Sequence, residues 1–161
     1  GQSVAFIAKK ANINIPEGTR ILVVEARGVG AEDVICKEKM CPVMCALSYK
    51  HFEEGVEIAR TNLANEGNGH TCAIHSNNQA HIILAGSELT VSRIVVNAPS
   101  ATTAGGHIQN GLAVTNTLGC GSWGNNSISE NFTYKHLLNI SRIAPLNSSI
   151  HIPNDKEIWE L

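Results

Sequence analysis

The sequence predicts an α/β protein with a largely parallel sheet flanked by helices. Three observations carry that expectation. Short continuous apolar runs, of the kind that buried strands need, alternate with amphipathic stretches of helical period. Apolar residues make up 43% of the 161-residue chain and aromatics only 4%, so the core has to come from Ile, Val, Leu and Ala. Glycine and small polar residues gather in one late stretch, over 99–126, with six glycines, a length and composition typical of a functional loop.

Each element has its own justification. Ser3 is placed to cap a helix over 3–11 whose Val4, Ile7, Ala8 and Ala11 share one face. The turn Pro16-Glu17-Gly18 leads to a buried strand over 21–24, and Gly28 and Gly30 mark the loop after it. A second apolar strand covers 42–48. Over 51–65, Phe52, Val56, Ala59 and Leu63 recur at helical spacing, and Glu53, Glu54 and Glu57 sit where the helix dipole favours negative charge. Gly67 and Gly69 end that helix. A third strand is expected over 71–75, a short helix over 79–85 and a fourth strand over 93–96. Beyond the glycine-rich loop, 134–138 suits a helical turn and 140–144 a last strand. Residues 1–146 thus read as one unit, and 147–161 as a polar, frayed tail apart from Ile158 and Trp159.

Charge and cysteine content narrow the class of function. The net charge is −2 with no basic block, which speaks against nucleic acid, since phosphate needs a positive footprint. No apolar run reaches the length of a membrane span and no signal peptide opens the chain. Gly1 stands where a Met is usual, as in a processed or truncated product. The five cysteines are an odd number without a signal, which fits reduced thiols in the cytoplasm. Cys36, Cys41 and Cys45, with His51 following, lack the C-x2-C knuckle of a zinc site, so no metal is expected. The sequons at Asn125, Asn131, Asn139 and Asn147 fit chance in an Asn-rich chain.

Three segments can carry chemistry. Glu38 stands four residues before Pro42, which opens a strand; on these residues alone it reads first as a solvated carboxylate, and second as an acceptor for two ribose hydroxyls. His70 follows Gly67-Asn68-Gly69 where a helix gives way to a strand, a setting that favours a turn residue over a reacting one. In Gly119-Cys120-Gly121-Ser122-Trp123-Gly124 the glycines allow close backbone approach to a ligand. Cys120 there reads first as a small packed residue and second as an activated thiol.

Together these segments carry a resemblance. Glu38-Lys-Met-Cys-Pro-Val, Gly69-His-Thr-Cys-Ala-Ile-His, Arg93-Ile-Val-Val-Asn-Ala-Pro-Ser and Leu118-Gly-Cys-Gly-Ser-Trp-Gly-Asn-Asn-Ser-Ile-Ser-Glu-Asn occur in this order. The series resembles the C-terminal part of the CoA-acylating aldehyde dehydrogenases, including the acetaldehyde dehydrogenase half of the bifunctional aldehyde-alcohol dehydrogenases, over about 1–144. The resemblance implies a cysteine thiolate that adds to an aldehyde, hydride transfer to NAD or NADP, and a thioester attacked by CoA. It places Glu38, with Pro42, at the nicotinamide ribose, His70 near the reaction centre, and Ser100, Gly119, Cys120, Gly121 and Ser122 at the acyl pocket. It also implies that the last strand pairs with a neighbouring subunit in a homo-oligomer.

The same resemblance sets the nucleophile N-terminal to the stretch that begins at Gly1, so none of the five cysteines matches it and the chain alone is expected to be inactive. The loop over 101–114, with Ala-Thr-Thr-Ala-Gly-Gly-His, departs from the more usual Ser-Gln-Gly-Gly and suits an unusual aldehyde. Two other functions compete: a non-catalytic assembly or binding module on the same fold, and an autonomous thiol enzyme using Cys120.

Overall fold

A computed structural model describes residues 1–160. Helix α1, Val4–Ala11, opens on Ser3, whose Oγ accepts the Phe6 N–H at 3.2 Å. It closes on Asn12 in the left-handed region at φ 55°. Strand β1, Leu22–Glu25, pairs in parallel with β2, Val43–Ala46, in register Leu22 to Val43 and Glu25 to Ala46. Two 3-10 turns, Gly30–Glu32 and Val34–Cys36, make the crossover between them. Asp33 braces that crossover, accepting the Arg27 and Ile35 N–H groups at 2.9 and 3.1 Å.

Helix α2, Phe52–Asn65, leads to β3, Gly69–Ile74. Helix α3, Gln79–Glu88, then returns the chain to β4, Val91–Val96, parallel to β3 in register Gly69 to Val91 and Ile74 to Val96. The principal core lies in this second half. Val56 of α2, Ile74 of β3, Ala85 and Leu89 at the end of α3, and Val91 of β4 are buried together, with Phe52, Ala59 and Leu63 packed around them. The apolar face expected on α2 is the face that makes this contact. The Phe52 ring also stacks on His81 of α3, centroids 4.1 Å apart.

Helices flank parallel strands, as the sequence implied, but the strands form two separate ladders, β1–β2 and β3–β4. The expectation is one largely parallel sheet; β2 and β3 do not pair, so that part of it is corrected. A short helix α4, Ser100–Thr103, packs back over β3, and the glycine-rich loop follows. Further 3-10 turns cover Ser122–Gly124 and Tyr134–Leu137.

At the C-terminal end the single chain shows two features. Residues 140–144 form no strand in the single chain, with Ile140 61% and Ile143 95% exposed, because no strand among the described residues lies beside them to complete a ladder. The tail is not frayed throughout. Helix α5, Asp155–Trp159, is held by a capping box in which Asn154 accepts the Lys156 and Glu157 N–H groups while Glu157 reaches back to the Asn154 N–H.

Candidate active site

The candidate site is built at the entry of β3. Gly67 and Gly69 have φ of 108° and 83°, conformations that a side chain resists. A Cβ on Gly69 would also fall on the carbonyl of Cys120. The glycine is therefore what lets the loop over 118–121 lie directly against the start of β3. His70 follows at once, its N–H donating to the Gly67 carbonyl at 3.2 Å, and its Nδ1 lies 3.2 Å from the Thr71 hydroxyl.

The loop has its own scaffold. Gly119 N–H donates to Glu130 O at 3.1 Å and Gly121 N–H to Ile128 O at 2.8 Å, so residues 117–121 run beside 128–132 and are bridged at Leu118 and Asn131. Cys120 N–H donates to Asn126 Oδ1 at 3.0 Å. Buried Asn131 ties the loop to the end of α4, its Nδ2 donating to Ala104 O at 3.0 Å and Ala113 O at 2.7 Å.

Between α4, β3 and this loop lies a cleft of about 450 Å³, lined by His70, Thr71, Ser100, Thr115, Asn116 and Leu118 among others. The structure thus brings His70 and Ser100 into one cavity, whose lining ends at Leu118; Gly119 lines a separate cavity with Leu118 and Phe132, and Cys120 packs against Gly69. Gly121 and Ser122 lie just beyond, in the turn that closes the loop. Cys120 Sγ has the Leu118 carbonyl, 3.9 Å away, as its hydrogen-bonding contact. No base lies within hydrogen-bonding distance of this thiol among the described residues.

Glu38 and Pro42 lie apart, in the segment that leads into β2 of the β1–β2 ladder. The Pro42 carbonyl accepts the Leu22 N–H at 3.0 Å and opens that ladder. The Glu38 N–H donates to Glu66 Oε2 at 2.6 Å, while its own carboxylate has no hydrogen-bond partner among the described residues. Glu66 caps the C-terminal end of α2 and stands four positions before His70. Hydrogen bonds to α2 and its cap, from Glu38 N–H to Glu66 and from Gly30 N–H to Asn62 Oδ1 at 2.8 Å, rather than a shared sheet edge, link the two halves.

Sequence reading assigned Arg93 no role. It is 5% exposed, and its guanidinium donates to Thr71 Oγ1 at 3.1 Å, Gly119 O at 2.8 Å and His70 O at 3.2 Å. The available signal was a single cation in an apolar strand, flanked two residues away on each side by Val91 and Val95 of the buried face.

Comparison with known proteins places this arrangement. No family model matches the chain. It is 56% identical over 159 residues to the succinate-semialdehyde dehydrogenase (acetylating) of Clostridium kluyveri, covering 99% of this chain and 35% of that protein. It is 39% identical over 158 residues to a sulfoacetaldehyde dehydrogenase of an Acholeplasma species, covering 98% of this chain and 32% of that one. The crystal structure of an acetylating aldehyde dehydrogenase from Geobacillus thermoglucosidasius superimposes with a TM-score of 0.79 at 36% identity, over 96% of this chain and 34% of that chain. The chain therefore spans about a third of the length of the relatives it matches. By sequence and by fold it is similar to about a third of the length of acylating aldehyde dehydrogenases.

Proposed function

We propose that this chain forms one wall of the active site of a CoA-acylating aldehyde dehydrogenase whose nucleophilic cysteine lies outside it. In the whole reaction an aldehyde, CoA and NAD(P)+ give an acyl-CoA, NAD(P)H and a proton. The observation that carries the reading is the polar cleft shared by His70 and Ser100, at the strand entry where the Cys120 backbone lies against Gly69. The nicotinamide cofactor, NAD or NADP, accepts the hydride when bound.

This chain's residues supply the rest. Glu38, with a carboxylate free of partners among the described residues, fits a ribose diol, and Pro42 fixes the start of the strand behind it. Ser100, Gly119, Cys120, Gly121 and Ser122 bound the acyl group. His70 either takes the proton of the CoA thiol or donates to the carbonyl oxygen that thiol attacks.

Two of the relatives support a substrate class. Succinate semialdehyde and sulfoacetaldehyde, for which two of them are named, both pair an aldehyde with a fixed anion. We assign the same class, a short aldehyde with a terminal anionic group. Among the described residues no helix is long and apolar enough to cross a membrane, and the five free thiols fit a reducing compartment such as the cytoplasm. The test is NAD(P)H formation by the intact enzyme from succinate semialdehyde, sulfoacetaldehyde and acetaldehyde, each with and without CoA. CoA-dependent turnover that favours the anionic aldehydes is expected; turnover without CoA to the free acid would overturn the acylating assignment. His70→Ala in that enzyme should slow thioester release by about 10²-fold or more, the scale of one lost proton-transfer or oxyanion partner.

A further inference from the structure

We infer that Arg93 and Thr71 fix the tautomer of His70, so that its imidazole presents Nε2–H to the cleft and acts as a hydrogen-bond donor to the substrate. Arg93 is the only charged side chain buried to this depth among the described residues, and none of their carboxylates pairs with it. Arginine does not lose its proton in a protein, so this position carries a buried, uncompensated cation. An aliphatic side chain between Val91 and Val95 would suit the strand at less cost. What Arg93 gains instead is three hydrogen bonds to neutral acceptors, all at the site: Thr71 Oγ1, the His70 carbonyl and the Gly119 carbonyl.

The Thr71 contact settles the direction of the next bond. Arg93 Nε can only donate, so Thr71 Oγ1 accepts from it. The hydroxyl proton of Thr71 is then left to donate, and His70 Nδ1, 3.2 Å away, is the acceptor within reach. A ring whose Nδ1 accepts carries its proton on Nε2 when neutral. The donor chain runs from the guanidinium through the hydroxyl to the imidazole and leaves an N–H, not a lone pair, at the far side of the ring. The bond from Arg93 to the His70 carbonyl holds the backbone of the same residue, so orientation and tautomer are set together.

The consequence for catalysis rests on the proposed function; the tautomer does not. In an acylating dehydrogenase, Nε2–H donates to the thioester carbonyl and stabilises the oxyanion that forms as the CoA thiolate attacks. Arg93 and Thr71 are positioning residues, acting through His70 and not on substrate.

The test reads the ring directly. Two-bond ¹H–¹⁵N correlation spectra of the ¹⁵N-labelled 161-residue chain, with His70→Gln to assign the signal, report which nitrogen is protonated above the imidazole pKa. A pyrrole-type Nε2 and a pyridine-type Nδ1 are expected. Thr71→Val, which keeps the shape and removes the hydroxyl, should shift both nitrogens toward the averaged values of a free imidazole, and Thr71→Ser should restore the parent pattern. Arg93→Lys should weaken the preference, because an ammonium cannot reach all three acceptors in the same fork. An Nδ1–H tautomer in the parent chain would overturn the inference, as would a pattern unchanged in both Thr71→Val and Arg93→Lys. Because this readout needs no turnover, failure of the proposed activity and failure of the tautomer assignment are separate results.

Discussion

At the scale of single residues, burial leaves a signature in acid–base behaviour. Cys72, on β3 beside the main core, has its thiol pushed above the ordinary value by burial, which disfavours the thiolate. The unfolded chain then loses this proton at a lower pH than the folded one. The stability that Cys72 contributes is fully present below the ordinary thiol pKa, about 8.5, and is lost as pH rises above it. Urea midpoints measured across that range should fall for the parent chain, and the fall should be shallower for Cys72→Ala, at a cost of about 1 kcal/mol at neutral pH. His70 was legible in the sequence as a residue with a defined setting because glycines bracket the turn before it. Arg93 was not, since its partners lie 22, 23 and 26 residues away and only the fold brings them to it.

At the scale of elements, the parts whose signals are local could be read and the parts fixed by distant pairing could not. The Ser3 cap, the Phe52, Val56, Ala59 and Leu63 face of α2 and the four strands follow from spacing within a dozen residues. The Asn154–Glu157 capping box was equally local and marks α5 within a segment read as a tail. The division into two ladders had no such mark, because strand partnership depends on which edge a crossover reaches. The crossover between β1 and β2 carries a further feature: Cys36 Sγ in its second 3-10 turn lies 4.0 Å from Cys45 Sγ on β2. Hydrogen peroxide should join the two, each thiol giving up a hydrogen as the peroxide is reduced to water. Burial and the neighbouring Cys36 raise the Cys45 thiol, so the bond should form slowly at neutral pH and faster as pH rises. Peptide mapping checks this by a crosslinked pair that is lost in Cys45→Ser.

For the whole molecule, the distribution of apolar surface is the main fact. Val23, Val34, Met40 and Met44 are exposed on and around the β1–β2 ladder, and Leu138, Ile140, Ile143, Leu146 and Ile152 along the C-terminal stretch. An extended apolar segment with unpaired backbone groups is a template for pairing with another chain. We expect self-association through 138–146, and Ile140→Lys with Ile143→Lys should move sedimentation toward the monomer at high micromolar concentration. An unchanged oligomer in that double variant would place the contact elsewhere.

The uneven core has a further consequence, for how the molecule opens. The five residues of the main core cluster belong to α2, β3, α3 and β4, including the ends of α3, while β1 and β2 contribute none. Backbone amides of β3 and β4 should be released to solvent only by near-global unfolding, and those of β1 and β2 by a cheaper, sub-global event, which amide hydrogen exchange would read. The strand behind Glu38 is thus the soft part of the chain and the strand behind His70 the stiff part. On the proposed function, a dinucleotide settling on Glu38 would meet a surface it can order as it binds, that ordering drawing on its binding energy, whereas the His70 imidazole would meet its substrate already in place.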